Sequence, residues 1–135
     1  MQVGGGYSIL VNANAQCASL TFLATATSST VTVNSGIQLE ISGNIAFSNP
    51  SAGSVSQVFD VADGKLVCSG ISFANTSEAT RTNSLLLNNG NITVSGNISI
   101  AGAANENFIT VSGNGTIYLG GTFSSGQHLR PVQEQ

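Results

Sequence analysis

The chain has 135 residues, of which 41% are hydrophobic and only 7% are charged, and its formal net charge at pH 7 is −3. This length fits a single domain, and a typical domain carries roughly 25% charged residues. Its basic residues, Lys65, Arg81 and Arg130, are far apart. Because nucleic acid and anionic membrane surfaces are bound by clustered Lys and Arg, we expect neither partner. No apolar run reaches the roughly 18 residues of a spanning helix, so we also expect no membrane span.

The N-terminal segment, residues 1–16, lacks the basic and apolar regions of a signal peptide. It also departs from the pattern of the rest of the chain. We therefore expect residues 1–16 to form a cap or an irregular segment, in an exported protein whose targeting signals have been removed. Residues 18–30 read as a degenerate first coil.

Four similar copies follow, in residues 33–47, 61–73, 87–100 and 111–123. Each has an apolar residue, a turn with a glycine, two alternating apolar positions, a second glycine and a further alternation. The first glycines are Gly36, Gly64, Gly90 and Gly115, and the second are Gly43, Gly70, Gly96 and Gly121. The second set recurs every 25 to 27 residues, a period typical of repeat architectures. We expect these glycines to turn the chain sharply, often with positive φ.

Short alternating segments predict an all-β chain. They are residues 30–33, 39–41, 92–94, 98–100, 108–111 and 116–119. No sustained 3.6-residue apolar period indicates a helix. Longer polar loops separate the copies at residues 48–57, 75–83 and 101–107.

Two architectures accommodate these strands: a β-sandwich and a parallel β-solenoid. We favour a single-domain solenoid of about four to five coils over residues 17–123, followed by a polar tail at 124–135, because the copies share order and turn chemistry. Their apolar residues also superpose as interior columns. The three predicted columns are Val33, Val61, Leu87 and Val111; Leu39, Leu66, Ile92 and Ile117; and Ile41, Cys68, Val94 and Leu119.

Other recurring positions suggest outer and inner surfaces. Glu40, Val67, Thr93 and Tyr118 form a predicted outward column. Because this column is not a threonine array, ice binding is only an alternative. The recurring phenylalanines are Phe22, Phe47, Phe73 and Phe123. They predict a stacked interior column, with a sugar-binding aromatic stripe as the alternative.

The sequence offers few catalytic groups. His128 is the only histidine and lies in the polar tail, and Asp60 with Asp63 is the only local carboxylate pair. The pair precedes a glycine, which is good turn chemistry. Cys68 falls on an interior position, and a bridge to Cys17 is not expected because two strand spacings, about 10 Å, exceed disulfide reach. We therefore predict no catalytic, cofactor-binding or metal-binding residues and no cofactor.

The repeats resemble the β-strand-repeat regions of large secreted surface proteins of the Bacteroidota, as seen in TVTVNSGIQLEISGNIAF, GKLVCSGISF and GNITVSGNISI. In those proteins such regions often precede a type IX secretion sorting domain. The resemblance covers residues 17–123. It implies an extracellular parallel β-helix used as a stalk or adhesive surface, and it transfers no catalytic residues.

These observations together predict a bacterial, non-enzymatic structural or adhesive module that is extracellular or on the cell surface. Expected partners are a glycan or another cell-surface ligand, and further coils that stack end to end, either in a second copy or in a larger chain. The alternatives are a carbohydrate-binding module, a fragment of a polysaccharide-active β-helix enzyme, and an ice-binding protein.

Overall fold

The computed structural model describes residues 1–76, 78, 80–102 and 106–126, and these residues form β-strands and turns without a helix. The described strands, in chain order, are β1 (Gln2–Val3), β2 (Ser8–Val11), β3 (Ala15–Cys17), β4 (Leu20–Phe22), β5 (Ser29–Val33), β6 (Gln38–Ile41), β7 (Asn44–Phe47), β8 (Ser56–Ala62), β9 (Lys65–Cys68), β10 (Gly70–Phe73), β11 (Thr82–Leu87), β12 (Asn91–Val94), β13 (Ile98–Ile100), β14 (Asn107–Val111), β15 (Thr116–Leu119) and β16 (Phe123–Ser125).

Every third strand joins the same parallel sheet. Sheet A has the order β1-β4-β7-β10-β13-β16, sheet B has β14-β11-β8-β5-β2, and sheet C has β15-β12-β9-β6-β3. The chain therefore passes through sheets A, B and C in turn and stacks about five coils. This is the predicted parallel β-solenoid, and the β-sandwich alternative is wrong.

Strand alternation builds the interior. In β8 and β11 every second residue is buried, as the two-residue period of a strand requires. Two of the predicted columns are in register, as where Leu39 pairs with Leu66, which pairs with Ile92. The first column is wrong at two places, because the bulge of β8 sets Leu87 opposite Ala62 rather than Val61, and Val111 is 44% exposed. The buried apolar side chains of the three sheets form one continuous core, so each coil buries its inner face against its neighbours.

The N-terminal boundary differs from the prediction. Residues 2–17 contribute β1, β2 and β3, which pair with β4, β5 and β6. This segment is therefore a first coil rather than an irregular segment, and residues 18–30 belong to the second coil. It was missed because its turns do not carry the spaced glycines of the later copies. At the other end, β16 extends the repeat to Ser125, and residues 127–135 of the predicted tail lie outside the described residues.

The turn glycines act mainly through close packing. Among the eight glycines that defined the repeat, only Gly36 has the expected positive φ, at +74°. A Cβ on Gly96 would lie 2.5 Å from the Ser69 carbonyl oxygen, and one on Gly90 would lie 2.2 Å from that of Gly64. Adjacent coils approach so closely at these corners that a side chain is excluded. The predicted alignment of Gly36 with Gly64 is one residue off. Gln38 pairs with Lys65, so Ile37 lies beside Gly64.

Candidate functional site

The outer face of sheet C carries the predicted outward column. Glu40 pairs with Val67, Val67 with Thr93, and Thr93 with Tyr118, while Gln16 precedes them beside Glu40. The order of the column is thus confirmed, and one residue is added at its N-terminal end. Tyr118 is 57% exposed, so its ring projects from the last sheet C strand described.

A polar groove of about 470 Å³ lies at the N-terminal end of this face. Its lining consists of Asn14, Ala15, Gln16, Gln38 and Glu40. The Gln16 Nε2 donates a hydrogen bond to Glu40 Oε2 over 3.1 Å. The Asn14 Oδ1 accepts one from the Gln38 backbone N–H over 2.9 Å. This bond uses only the backbone of Gln38, and the Gln38 side chain lines the groove.

A second depression adjoins the groove across the Gln16–Glu40 pair. It measures about 210 Å³ and is also lined by Cys17, Ala18 and Ser42. The two depressions share Gln16 and Glu40. This part of the face therefore presents amide, carboxylate and hydroxyl groups around a hydrogen-bonded pair.

The outer face of sheet A has a different chemistry. One column along it is uncharged and small: Thr21, Ala46, Ser72, Ser99 and Ser124. Gly70 lies between Asn44 and Asn97 in the adjacent column. Since it has no side chain, a depression of about 200 Å³ forms there. The paired positions of this face offer hydroxyl and amide groups without a charge, and Gln2, beside Thr21, has their longest side chain.

The predicted carboxylate pair is used by the fold. Asp60 Oδ1 accepts a hydrogen bond from the Ala62 N–H at 2.9 Å, where β8 bulges and Ala62 has φ of +47°. Asp63 Oδ1 accepts hydrogen bonds from the Asn89 backbone N–H and from the side chains of Asn88 and Asn89 in the next coil. The turn interpretation of this pair is confirmed, because both carboxylates hold corner backbone in place.

The phenylalanine prediction is right for three of its four members. The rings of Phe22 and Phe47 stack at 4.7 Å between centroids, and those of Phe47 and Phe73 at 4.6 Å. All three are buried, so they do not form a sugar-binding stripe. The prediction is wrong for Phe123. Phe73 pairs with Ile100, which pairs with Ser125, so Ser125 rather than Phe123 continues the column. Phe123 lies only two residues after its glycine, in register with Ile98, and is 49% exposed.

The two cysteines are free thiols. Cys17 pairs with Ile41, and Cys68 lies one coil beyond Ile41 in the same column. The two cysteines are therefore two coils apart, which agrees with the expectation that they form no bridge. Cys68 is buried, as predicted. Burial raises the pKa of its thiol to about 11, and a backbone hydrogen bond from Gly70 partly offsets this rise.

Metal and catalytic constellations were not expected from the sequence. Within residues 1–76, 78, 80–102 and 106–126, no three His, Cys, Asp or Glu side chains are placed to hold a metal ion. His128 lies outside the described residues. The described chain also has no helix of the length and apolarity that a membrane crossing requires.

Sequence reasoning missed the groove because it missed the first coil. Asn14 and Gln16 fall in the segment predicted to be a cap or irregular, so the prediction gives Glu40 neighbours only in the later coils. The available signal was the short apolar run at residues 9–11, whose β-branched residues favour a strand.

Comparison with protein-family models, curated proteins and solved structures finds no match to this chain. The functional assignment therefore depends on the geometry above and on the resemblance carried by the repeats.

Proposed function

We propose that this chain is a non-enzymatic structural or adhesive module of a secreted or cell-surface protein. The observation that carries the proposal is the filled interior: side chains from all three sheets form one buried core, and the depressions described above lie on outer surfaces. A solenoid of this kind has long flat faces rather than a deep pocket, which suits a stalk or an adhesive surface.

The repeat chemistry supports an exported setting. The segments in residues 17–123 resemble the β-strand-repeat regions of secreted Bacteroidota surface proteins that use type IX secretion. We extend the same localisation, outside the cell or on its surface, to this chain. Paired strand backbones with short corners also resist proteases, which favours survival in that environment.

Both ends of the described solenoid favour stacking on further coils. At one end β1, β2 and β3 each pair on one side, and at the other end β14, β15 and β16 do the same. Unpaired strand edges attract further strands. Since all strands are parallel, one end complements the other. Continuation into a larger chain or end-to-end association of copies uses this complementarity.

The test is labelling and adhesion on the same material. Antibodies against the loop at residues 48–55 should label intact producing cells without permeabilisation. Beads coated with the module should adhere under flow to cells or to polysaccharide films, without releasing soluble sugar. Labelling only after permeabilisation contradicts the surface location, and sugar release contradicts the non-enzymatic assignment.

A carbohydrate-binding module is the second candidate, because the amides and carboxylate of the sheet C groove can hydrogen-bond sugars. Ice binding is less well supported. The sheet C column contains Glu40, Val67 and Tyr118, and these side chains interrupt any regular threonine array.

A further inference from the structure

We propose that the outer face of sheet C binds a neutral polysaccharide strand that lies along the solenoid axis, held in the groove at Gln16, Gln38 and Glu40 and covered at its far end by Tyr118. The inference rests on the proposed adhesive function and names its ligand class.

The groove has the hydrogen-bonding capacity that sugar hydroxyls need. The Gln38 carboxamide lines the groove and has no hydrogen-bond partner among the described residues, so its donor and acceptor are open to a ligand. The Gln16–Glu40 hydrogen bond uses Nε2 and Oε2, which leaves one acceptor oxygen on each side chain. A sugar hydroxyl both donates and accepts. Neighbouring hydroxyls on one ring can therefore satisfy an amide and a carboxylate together.

The charge of the face selects a neutral polymer. Glu40 is the one charged residue lining the groove, and Lys65 pairs with Gln38 in the next coil. The carboxylate and the ammonium group offset each other along the face. A charged polymer is attracted by one of these groups and repelled by the other, so it gains no net charge attraction. A neutral polymer binds through hydrogen bonds without desolvating a charge of its own.

The column extends the site beyond one sugar ring. Glu40 and Tyr118 are three strand spacings apart, about 14 Å at the usual parallel spacing. Val67 and Thr93 between them are short side chains, so the path from the groove to the Tyr118 ring is not blocked by a large group. Tyr118 offers an exposed aromatic surface with a hydroxyl at its edge. This arrangement fits an oligosaccharide or a longer strand better than a monosaccharide.

The other faces lack this combination. The small-residue column of sheet A has no aromatic side chain, and the outer face of sheet B exposes Leu10 and Phe108. Sheet C alone among the described faces combines amides, a balanced charge pair and an exposed tyrosine along one axis.

The experiment is affinity electrophoresis of the whole chain in gels that contain one soluble polysaccharide each. The neutral probes are mixed-linkage β-glucan, xylan and galactomannan, and the anionic probe is polygalacturonate. We expect at least one neutral polymer to retard the protein and polygalacturonate to have no effect. Gln38→Ala should weaken binding about fivefold, and Tyr118→Ala roughly twofold to tenfold.

The matched control is Ser99→Ala on the outer face of sheet A, which should bind like the unmodified chain. Circular dichroism melts verify that all variants are folded. For a polymer that binds, its oligosaccharides should compete more strongly as they lengthen to span the distance from the groove to Tyr118.

Retardation by none of the neutral polymers overturns the inference, and so does retardation that survives both Gln38→Ala and Tyr118→Ala. If coated beads still adhere to cells in that case, the adhesive function stands and only this ligand assignment fails. If beads adhere to nothing, the proposed adhesive function fails as well.

Discussion

Two buried columns on either side of one corner show different ways of filling the solenoid. At the end of sheet A strands, Phe22, Phe47 and Phe73 stack in parallel. At the start of sheet B strands the inward column is polar: Ser29, Gln57, Asn83 and Asn107. The first column provides apolar area and dispersion. The amide N–H groups of the second donate hydrogen bonds, while Ser29 Oγ, Gln57 Oε1 and Asn83 Oδ1 are buried without a partner among the described residues.

The loops between the two columns explain the contrast. The Gln57 Nε2 donates to the Leu23 carbonyl over 2.7 Å, and the Asn107 Nδ2 donates to the Ala74 and Ala101 carbonyls. These carbonyls begin the long connections from sheet A to sheet B, where the regular ladder stops. Since buried backbone groups need partners, amide side chains at this corner replace the missing strand. The apolar column thus contributes mainly to stability. In the polar column, Gln57 and Asn107 bind the carbonyls at which these connections begin, and Asn83 supports Asn107 through its own hydrogen bond.

The largest effect is expected in the phenylalanine column. Phe47→Ala removes the ring between two stacked neighbours and leaves a cavity, so it should lower the free energy of unfolding by about 3–5 kcal/mol. Urea unfolding followed by circular dichroism measures this. The matched change Phe123→Ala, at a half-exposed ring, should cost clearly less. Equal losses for the two variants would contradict the assignment of Phe47 to the core.

A smaller loss is expected in the polar column. Asn83→Ala removes the Nδ2 donor that Asn107 Oδ1 accepts at 3.0 Å, which should cost about 1–3 kcal/mol. Hydrogen exchange should show the loss of protection concentrated at the start of β11 and β14. Ser84→Ala, on the outward neighbour, should change stability by less than about 0.5 kcal/mol. A uniform loss of protection through all coils would argue against this local role of Asn83.

Much of this architecture is readable from the sequence, because the glycine period and the alternation specify the register of β6, β9, β12 and β15. The buried polar column could not be predicted from the sequence. Gln57, Asn83 and Asn107 end polar stretches and were assigned to loops, since a single polar residue does not reveal that its amide pairs with a carbonyl 33 or 34 residues away. The prediction that Phe123 lies in the phenylalanine column is wrong for a related reason. The residue type recurs, but its distance along the chain from the preceding glycine changes.

The smallest effect concerns Cys68, which occupies an apolar column position. Because its pKa in the folded chain is raised from 9.0 to about 11, the neutral thiol stabilises the fold fully below pH 9. That contribution is lost as pH rises toward 11. Unfolding midpoints measured from pH 8 to 11 should therefore fall, and Cys68→Val should lessen the fall while costing under about 1.5 kcal/mol at pH 7. An unchanged pH dependence in Cys68→Val would contradict this burial effect.

The register of the coils is tested most directly by engineered disulfides on the outer face of sheet A, in a Cys17→Ser background. Ser72 and Ser99 pair across adjacent strands, whereas Ser72 and Ser124 are two strands apart. Adjacent strands lie about 4.8 Å apart, within disulfide reach, and two spacings, about 10 Å, are beyond it. We predict that mild oxidation closes an intramolecular bridge in Ser72→Cys/Ser99→Cys and not in Ser72→Cys/Ser124→Cys. Bridging in the second pair, or in neither, would contradict the stacked-coil register on which the faces and their proposed ligand depend.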